Sequence, residues 1–242
     1  MVISSQDIAL MCPGQASQKV GMCEDIYINS EFGKEHIDLA NNILGYDIKK
    51  IMFSGPIEML TKTVYTQPAI FIASYIVGSI LIHDGLRPKS IAGHSVGEIS
   101  AYALARSLSF EDGLKLVQFR ATAMHEAGSI KPGSMAAVIG LNEETLQDHC
   151  ANYSKGIVCV ANYNSHNQAV ISGDSTAIDN ISPELLKAGA IKVIKLNVSG
   201  AFHSPLMEPA KHKLDKFIQG VDINDAIFPV YSNLSASPVT EK

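Results

Sequence analysis

Apolar and polar positions alternate along this chain in two different periods, and the change between them divides it. Ile8 to Cys12 is a short apolar run closed by the turn "PGQASQ", which predicts a buried strand. Ser30 to Leu44 carries a helical pattern. Pro68 to His83, around "AIFIASYIVGSILI", is apolar on most faces and predicts a long, mostly buried helix. Ser90 to Ala92 forms a second short strand. After it, Val96, Ile99, Ala103 and Leu104 recur at helical spacing. Ser109-Phe110-Glu111-Asp112 resembles a capping box, and the helix behind it sets Leu114, Val117, Ala121 and Met124 on one face. That helix is expected to stop near Gly128, ahead of Pro132-Gly133.

Beyond Gly128 the period shortens. "SMAAVIGL" predicts a strand and "NEETLQDHCANY" a helix opened by Asn142. "GIVCVANYN" and "QAVISG" are two strands flanking the turn "NSHN". "DSTAIDNISPELLKAGA" is a helix and "IKVIKLNV" a last strand. The order β-α-β-β-α-β is the ferredoxin-like pattern. It implies an α/β large domain, residues 1–127 and 198–242, with a parallel sheet, interrupted by a ferredoxin-like insert at 128–197.

The stretch "IAGHSVGEIS" carries the first chemistry. Gly93, Ser95 and Gly97 have the G-x-S-x-G spacing between a strand and a helix. Such an elbow strains the serine and projects its hydroxyl, and it sets the Val96 amide at a helix N-terminus as an oxyanion donor. A Gly-Ser turn without chemistry has the same local pattern. An activated serine needs a base, usually histidine. His94 adjoins Ser95 and leaves the elbow in another direction. His83, His125, His149 and His212 sit in helices or at their ends, His36 in an early helix, and His166 at the tip of the insert. His203, in "NVSGAFHSPLM", follows the insert's last strand, where α/β folds place catalytic groups. A loop histidine packed on Pro205 is the alternative.

Composition narrows the class. The 242 residues are 46% hydrophobic and 18% charged, which gives a substantial core and excludes global disorder. A net charge of -5 argues against a nucleic-acid partner. Cys12, Cys23, Cys150 and Cys159 form no C-x-x-C pair and no metal-like cluster, so buried free thiols in a reducing, cytoplasmic setting are expected, with no metal site. The start, "MVISSQDIALMCPG", lacks the pattern of a signal peptide. Ser74, Tyr75, Gly78 and Ser79 interrupt the longest apolar stretch, so a core helix is expected there rather than a membrane span.

Six motifs in order, "CPGQASQKVGM", "YTQPAI", "GHSVGE", an arginine 25 residues after that serine, "NYNSHNQAVISG" and "GAFHSPLM", resemble the malonyl-CoA:acyl-carrier-protein transacylases and the acyltransferase domains of polyketide synthases. The resemblance implies an α/β-hydrolase-like large domain with a ferredoxin-like insert. It implies malonyl transfer from malonyl-CoA to the phosphopantetheine thiol of an acyl carrier protein, for fatty acid or polyketide synthesis, by a monomer without metal or redox cofactor. Ser95 would be the nucleophile and His203 its base, then the acid toward the coenzyme A thiolate. Arg120 would clamp the malonyl carboxylate, since a planar fork suits a carboxylate. The amides of Gln15 and Val96 would form the oxyanion hole. Phe202, just before the histidine, implies malonyl over methylmalonyl, because a ring beside the alpha carbon leaves no room for a methyl. Asn162 and Asn164 align with asparagines near the family's cleft, and equally suit a hairpin capped by its own asparagines.

This chain departs from the pattern at several points. Ala16 replaces a glycine of the first turn, Cys12 an aromatic residue, and Ala121 a glycine after the arginine. Family members continue for about 50–60 residues beyond "PVYSNLSASPV", a length that completes a domain of usual size, and that part includes a carbonyl that orients the histidine. The chain is therefore read as a fragment or a shortened homologue. Two other activities fit parts of the sequence. A hydrolase releasing acyl groups from carriers would have little use for Arg120 and Phe202, and a non-catalytic carrier-docking protein would have none for Ser95 and His203.

Overall fold

The computed structural model describes residues 8–241. The reading of the first seven residues as free of a signal peptide lies outside the described residues. The chain divides into two compact units, Met1–Ala121 with Phe217–Lys242, and Thr122–Lys216. The second unit is wider than the expected 128–197. Its core takes Ala123, Met124 and Ala127 from the preceding helix and Phe202, Met207 and Ala210 from the segment that follows the last strand.

The first unit opens with β1 (Ala9–Cys12), α1 (Glu24–Asn29), α2 (Glu31–Leu44), α3 (Ile48–Ser54), α4 (Ile57–Leu60) and α5 (Thr63–His83). It continues with β2 (Ser90–Gly93), α6 (Val96–Leu104) and α7 (Phe110–Ile130). The second unit contains β3 (Gly133–Ile139), α8 (Glu143–Ala151), β4 (Val158–Ser165), β5 (Gln168–Asp174), α9 (Ser175–Lys187) and β6 (Lys192–Lys195). After α10 (Glu208–Ile218) the first unit resumes with β7 (Val230–Tyr231) and β8 (Pro238–Val239).

In the first unit β1, β2 and β7 run parallel, and β8 adds an antiparallel edge. Cys12, Ile91 and Val230 point to one side, where Ala101 and Leu104 of α6 cover them. The second unit is an antiparallel sheet of order β4-β5-β3-β6. This is the strand order of the ferredoxin-like fold. One face buries Val138 and Ile171 beneath Leu146 of α8 and Ile178, Ile181 and Leu185 of α9. The other buries Met135 and Val170 with Phe202 and Met207. Asn142 caps α8 as its position implied, accepting from the Thr145 amide at 2.9 Å.

α5 begins at Thr63, five residues before the expected start at Pro68. Proline has no N–H and so leaves the carbonyl four residues back without its helical donor. That carbonyl is Val64's, and the Tyr46 hydroxyl donates to it at 3.2 Å. The helix therefore runs through its proline because a side chain from elsewhere supplies the lost bond. α5 is long and apolar enough to cross a membrane by length and composition, and half of its most apolar stretch is buried. Ile70, Phe71, Ile72 and Ile76 are among those buried residues, and Gly78 lets the Leu104 side chain lie directly against the helix backbone. Three of the four cysteines are buried free thiols as expected, whereas Cys159 on β4 is only partly covered.

Tyr46→Phe removes the donor to Val64 and keeps the ring. It is expected to cost about 1–2 kcal/mol, the value of a hydrogen bond whose acceptor is left unmet. Thermal unfolding followed by circular dichroism checks this.

Candidate active site

Ser95 owes its position to the absence of two side chains. A Cβ on Gly93 would collide with the backbone of Gly97, and one on Gly97 with the carbonyl of Cys12. With both glycines in place, β2 passes into α6 through two residues only, His94 and Ser95. Ser95 takes φ 54° and ψ -110°, a left-handed conformation that costs a residue with a side chain. Turn bonds hold it there: the Gly97 amide donates to the His94 carbonyl at 3.0 Å and the Glu98 amide to the Ser95 carbonyl at 3.1 Å. Val96 opens α6, where an amide has no intrahelical acceptor.

The first turn of the chain leans on this elbow. The His94 amide donates to the Cys12 carbonyl at 2.9 Å, and the His94 ring lies against Gly14, leaving no space for a side chain there. Gln15 follows directly, its side-chain amide 3.4 Å from the Thr63 hydroxyl. Ala16 stands at φ 85°, in the region that glycine prefers. This is the physical meaning of the departure noted in the sequence: Ala16 is strained in its own backbone, and its amide is occupied by the Gln18 side chain at 2.9 Å.

Arg120 reaches the elbow from α7. One guanidinium nitrogen donates to the Ser95 hydroxyl oxygen at 3.0 Å, and another to the Gln67 side-chain carbonyl at 2.6 Å. Gln67 is 1% exposed, so the fork is braced by a side chain that has nowhere else to go. Burial lowers the Arg120 pKa to about 10, and the Glu98 charge opposes that shift. The group therefore remains cationic at neutral pH. Glu98 has its own pKa raised by burial, against the Asn233 amide, the Arg120 charge and the Ser232 hydroxyl, all of which lower it. Arg120 is thus half-buried, and its direct partners are the neutral oxygens of Gln67 and Ser95.

The remaining residues named from the sequence lie in the second unit. His203 is exposed, at φ 58°, between buried Phe202 and buried Ser204. Ser204 donates to the Ala201 carbonyl at 2.6 Å and accepts from the Leu206 amide at 3.2 Å, and the Cys159 thiol lies 3.6 Å from the His203 carbonyl. The loop backbone is thus pinned while the imidazole is open to solvent. Phe202 is 6% exposed and belongs to the apolar cluster with Met124, Met135, Val170 and Met207. Asn162 and Asn164 stand on β4, which slips register against β5 between Val160 and Asn162 and between Tyr163 and Ser165. Such irregularities re-aim side chains near an edge.

Three residues of the first-unit constellation carried no assigned role in the sequence: Gln67, Glu98 and Asn233. Gln67 and Glu98 lie inside "YTQPAI" and "GHSVGE", so the motifs marked their places without marking their partners. Asn233 lies in the closing stretch, where its side chain accepts from the Ser95 amide at 2.9 Å and donates to the Gly93 carbonyl at 2.6 Å.

The elbow serine stands on a parallel sheet beside a half-buried cation, and residues 10–242 match the family of the acyl transferase domain, which makes the chain an acyltransferase. The malonyl CoA-acyl carrier protein transacylase of Bacillus subtilis (strain 168) is 38% identical over 237 residues, which cover 97% of this chain and 75% of the relative. The solved structure of the malonyl CoA-acyl carrier protein transacylase from Coxiella burnetii superimposes with a TM-score of 0.93 at 35% identity, over 98% of this chain and 75% of that one. A type II PKS acyl-carrier protein in complex with its malonyl-transacylase offers a further match, with a TM-score of 0.92 and 33% identity over 98% and 77%. The chain belongs to the malonyl CoA-acyl carrier protein transacylase family.

Ala16→Gly is expected to stabilise the fold by about 1 kcal/mol, because glycine adopts the left-handed region without the clash of a Cβ. A raised melting temperature in calorimetry is the expected result.

Proposed function

We propose that this chain moves a malonyl group from malonyl-CoA to the phosphopantetheine thiol of an acyl carrier protein, through a malonyl ester on Ser95. The observation that supports this most directly is the Arg120 guanidinium 3.0 Å from the Ser95 oxygen. A malonyl group has a carboxylate two carbons from its thioester carbonyl carbon, within reach of that cation once the acyl group sits on the serine. The names of the relatives support the same donor and the same class of acceptor.

In the first half-reaction the Ser95 oxygen attacks the thioester carbonyl carbon and its proton passes to His203. The carbonyl π pair moves onto oxygen, where the Gln15 and Val96 amides receive the charge. Collapse re-forms the carbonyl and breaks the C–S bond, and the coenzyme A thiolate leaves with the proton from His203. In the second half-reaction His203 takes the proton of the carrier thiol, whose sulfur attacks the ester, and Ser95 recovers its proton as it leaves. This is ping-pong acyl transfer. Arg120 exchanges its bond to the Ser95 hydroxyl for the malonyl carboxylate. Phe202 is assigned the preference for malonyl over a methyl-branched group, a discrimination of roughly 1–3 kcal/mol. We assign Asn162 and Asn164 to substrate binding. The chemistry uses no metal or redox cofactor, and the setting we propose is a cytoplasmic monomer serving fatty acid or polyketide synthesis.

Brief exposure to malonyl-CoA followed by intact mass measurement tests the reading. A malonyl adduct on the wild-type chain and none on Ser95→Ala is the expected result. Adduct formation on Ser95→Ala would remove Ser95 as the nucleophile, and a transient adduct giving free malonate without a carrier would identify a hydrolase instead. Arg120→Ala is expected to slow malonyl transfer by about 10- to 100-fold, the worth of a charge-assisted pair, and to raise the acetyl-to-malonyl ratio. An unchanged ratio would exclude Arg120 as the carboxylate clamp.

A further inference from the structure

We propose that Asn233 is the positioning residue that sets the nucleophile elbow, and that through Glu98 it couples the elbow to the Arg120 clamp. The inference rests on the reading of Ser95 as nucleophile and adds to it the group that holds Ser95 in place.

The strand β2 is held to β7 by parallel pairing of Ile91 with Val230 and Ala92 with Tyr231. The pairing ends there, because the backbone turns into the elbow. Two main-chain groups at the turn, the carbonyl of Gly93 and the amide of Ser95, lie past the last paired residues of β2 and β7. Asn233, two residues beyond β7, meets both. Its side-chain oxygen accepts from the Ser95 amide at 2.9 Å, and its side-chain nitrogen donates to the Gly93 carbonyl at 2.6 Å. A carboxamide reproduces one peptide unit of a neighbouring strand, so the ladder is continued for one step by a side chain. Donor and acceptor are both required, which among side chains of this length restricts the position to asparagine.

The clamp is itself fixed. The Asn233 main-chain amide donates to the Glu98 carboxylate at 3.1 Å, and Glu98 rides on α6, three residues after the nucleophile. Glu98 in turn acts on the Arg120 charge, and Arg120 donates to the Ser95 hydroxyl at 3.0 Å. The interactions close a circuit: Ser95 amide to Asn233, Asn233 to Glu98, Glu98 to Arg120, Arg120 to the Ser95 oxygen. The hydroxyl and the cation that is proposed to bind the acyl group are therefore registered to one another through one carboxylate and one carboxamide. Because Asn233 is exposed, its truncation disturbs no packed core.

Asn233→Ala and Asn233→Asp test this. Two rates are measured in each: malonyl-Ser95 formation by quenched-flow mass spectrometry, and exchange of the Ser95 backbone amide by NMR. In Asn233→Ala, acylation is expected to fall about 10- to 100-fold, the cost of a misplaced reacting atom. The Ser95 amide should exchange faster while the Ile91 amide, bonded to the Pro229 carbonyl at 2.9 Å, keeps its wild-type rate. Asn233→Asp retains the acceptor for Ser95 but turns a carboxylate toward the Gly93 carbonyl. Its acylation rate, divided by that of wild type, is expected to rise as pH falls through the carboxylate range, from about 6 to about 3.5, because protonation restores the donor. Acylation of Asn233→Ala within about twofold of wild type, an unchanged Ser95 exchange rate, or a flat Asn233→Asp ratio overturns the proposal. A wild-type chain that takes no malonyl group overturns the proposed function instead, and the exchange rates alone then decide for or against Asn233.

Discussion

The contact on which the site depends is between two backbones. Gly93 and Gly97 have no side chains, so β2 and α6 approach to a distance that a Cβ at either position would forbid. Within that approach Ser95 holds φ at 54°, and the turn bonds and the Asn233 side chain hold it there. The Cys12 carbonyl next to Gly97 then seats the first loop, Gly14 receives the His94 ring, and Gln15 arrives beside the elbow. Each of these contacts presupposes the one before it. A larger residue at Gly93 would displace the serine, and with it the helix N-terminus and the loop that flank the hydroxyl.

Much of this was legible in the chain and some was not, for reasons that lie in the range of each interaction. The ferredoxin-like unit could be read because its signals are local. Alternating strands, the Asn142 cap and the two-residue turn at His166 and Asn167 each sit within a few residues of what they determine. The short helices α1, α3 and α4 could not, since four to seven residues do not complete enough turns to show a period. The start of α5 was masked by Pro68, whose usual effect is cancelled by Tyr46, 18 residues from the carbonyl it serves. Ser95 was visible through motif spacing, and Arg120 through the family resemblance. Their supports were not: Gln67 lies 53 residues from Arg120 and Asn233 lies 138 from Ser95, distances over which no periodicity operates.

The core of the second unit extends past its strands for a related reason. A strand pattern ends where its alternation ends, but a core ends where its last side chain is covered. Phe202, Met207 and Ala210 lie beyond β6 and outside any strand or its helix pair, yet they fill the face of the sheet that α8 and α9 leave open. His203 sits within that packed segment. It is exposed, while Phe202 and Ser204 on either side are buried and anchor the loop.

The electrostatics of Arg120 connect the elbow to the proposed chemistry. A guanidinium taken out of water is destabilised unless an anion or enough dipoles replace the solvent. Here its direct hydrogen-bond partners are the neutral oxygens of Gln67 and Ser95, with Glu98 acting as a further charge rather than as a fork-to-fork partner. Burial has moved both charges toward neutrality, Arg120 downward and Glu98 upward. Had Glu98 paired bidentately with Arg120, the cation would be satisfied and a third carboxylate would gain little by approaching. Left incompletely met, the cation favours an anionic acyl group over a neutral one, which is the selectivity proposed above. The neutral bond to Ser95 is also one that the reaction itself removes, because acylation converts the hydroxyl into an ester oxygen, a poorer acceptor. In the proposed reaction the carboxylate then takes the place of the serine on the same nitrogen, so the clamp would tighten on the acyl group at the step that attaches it.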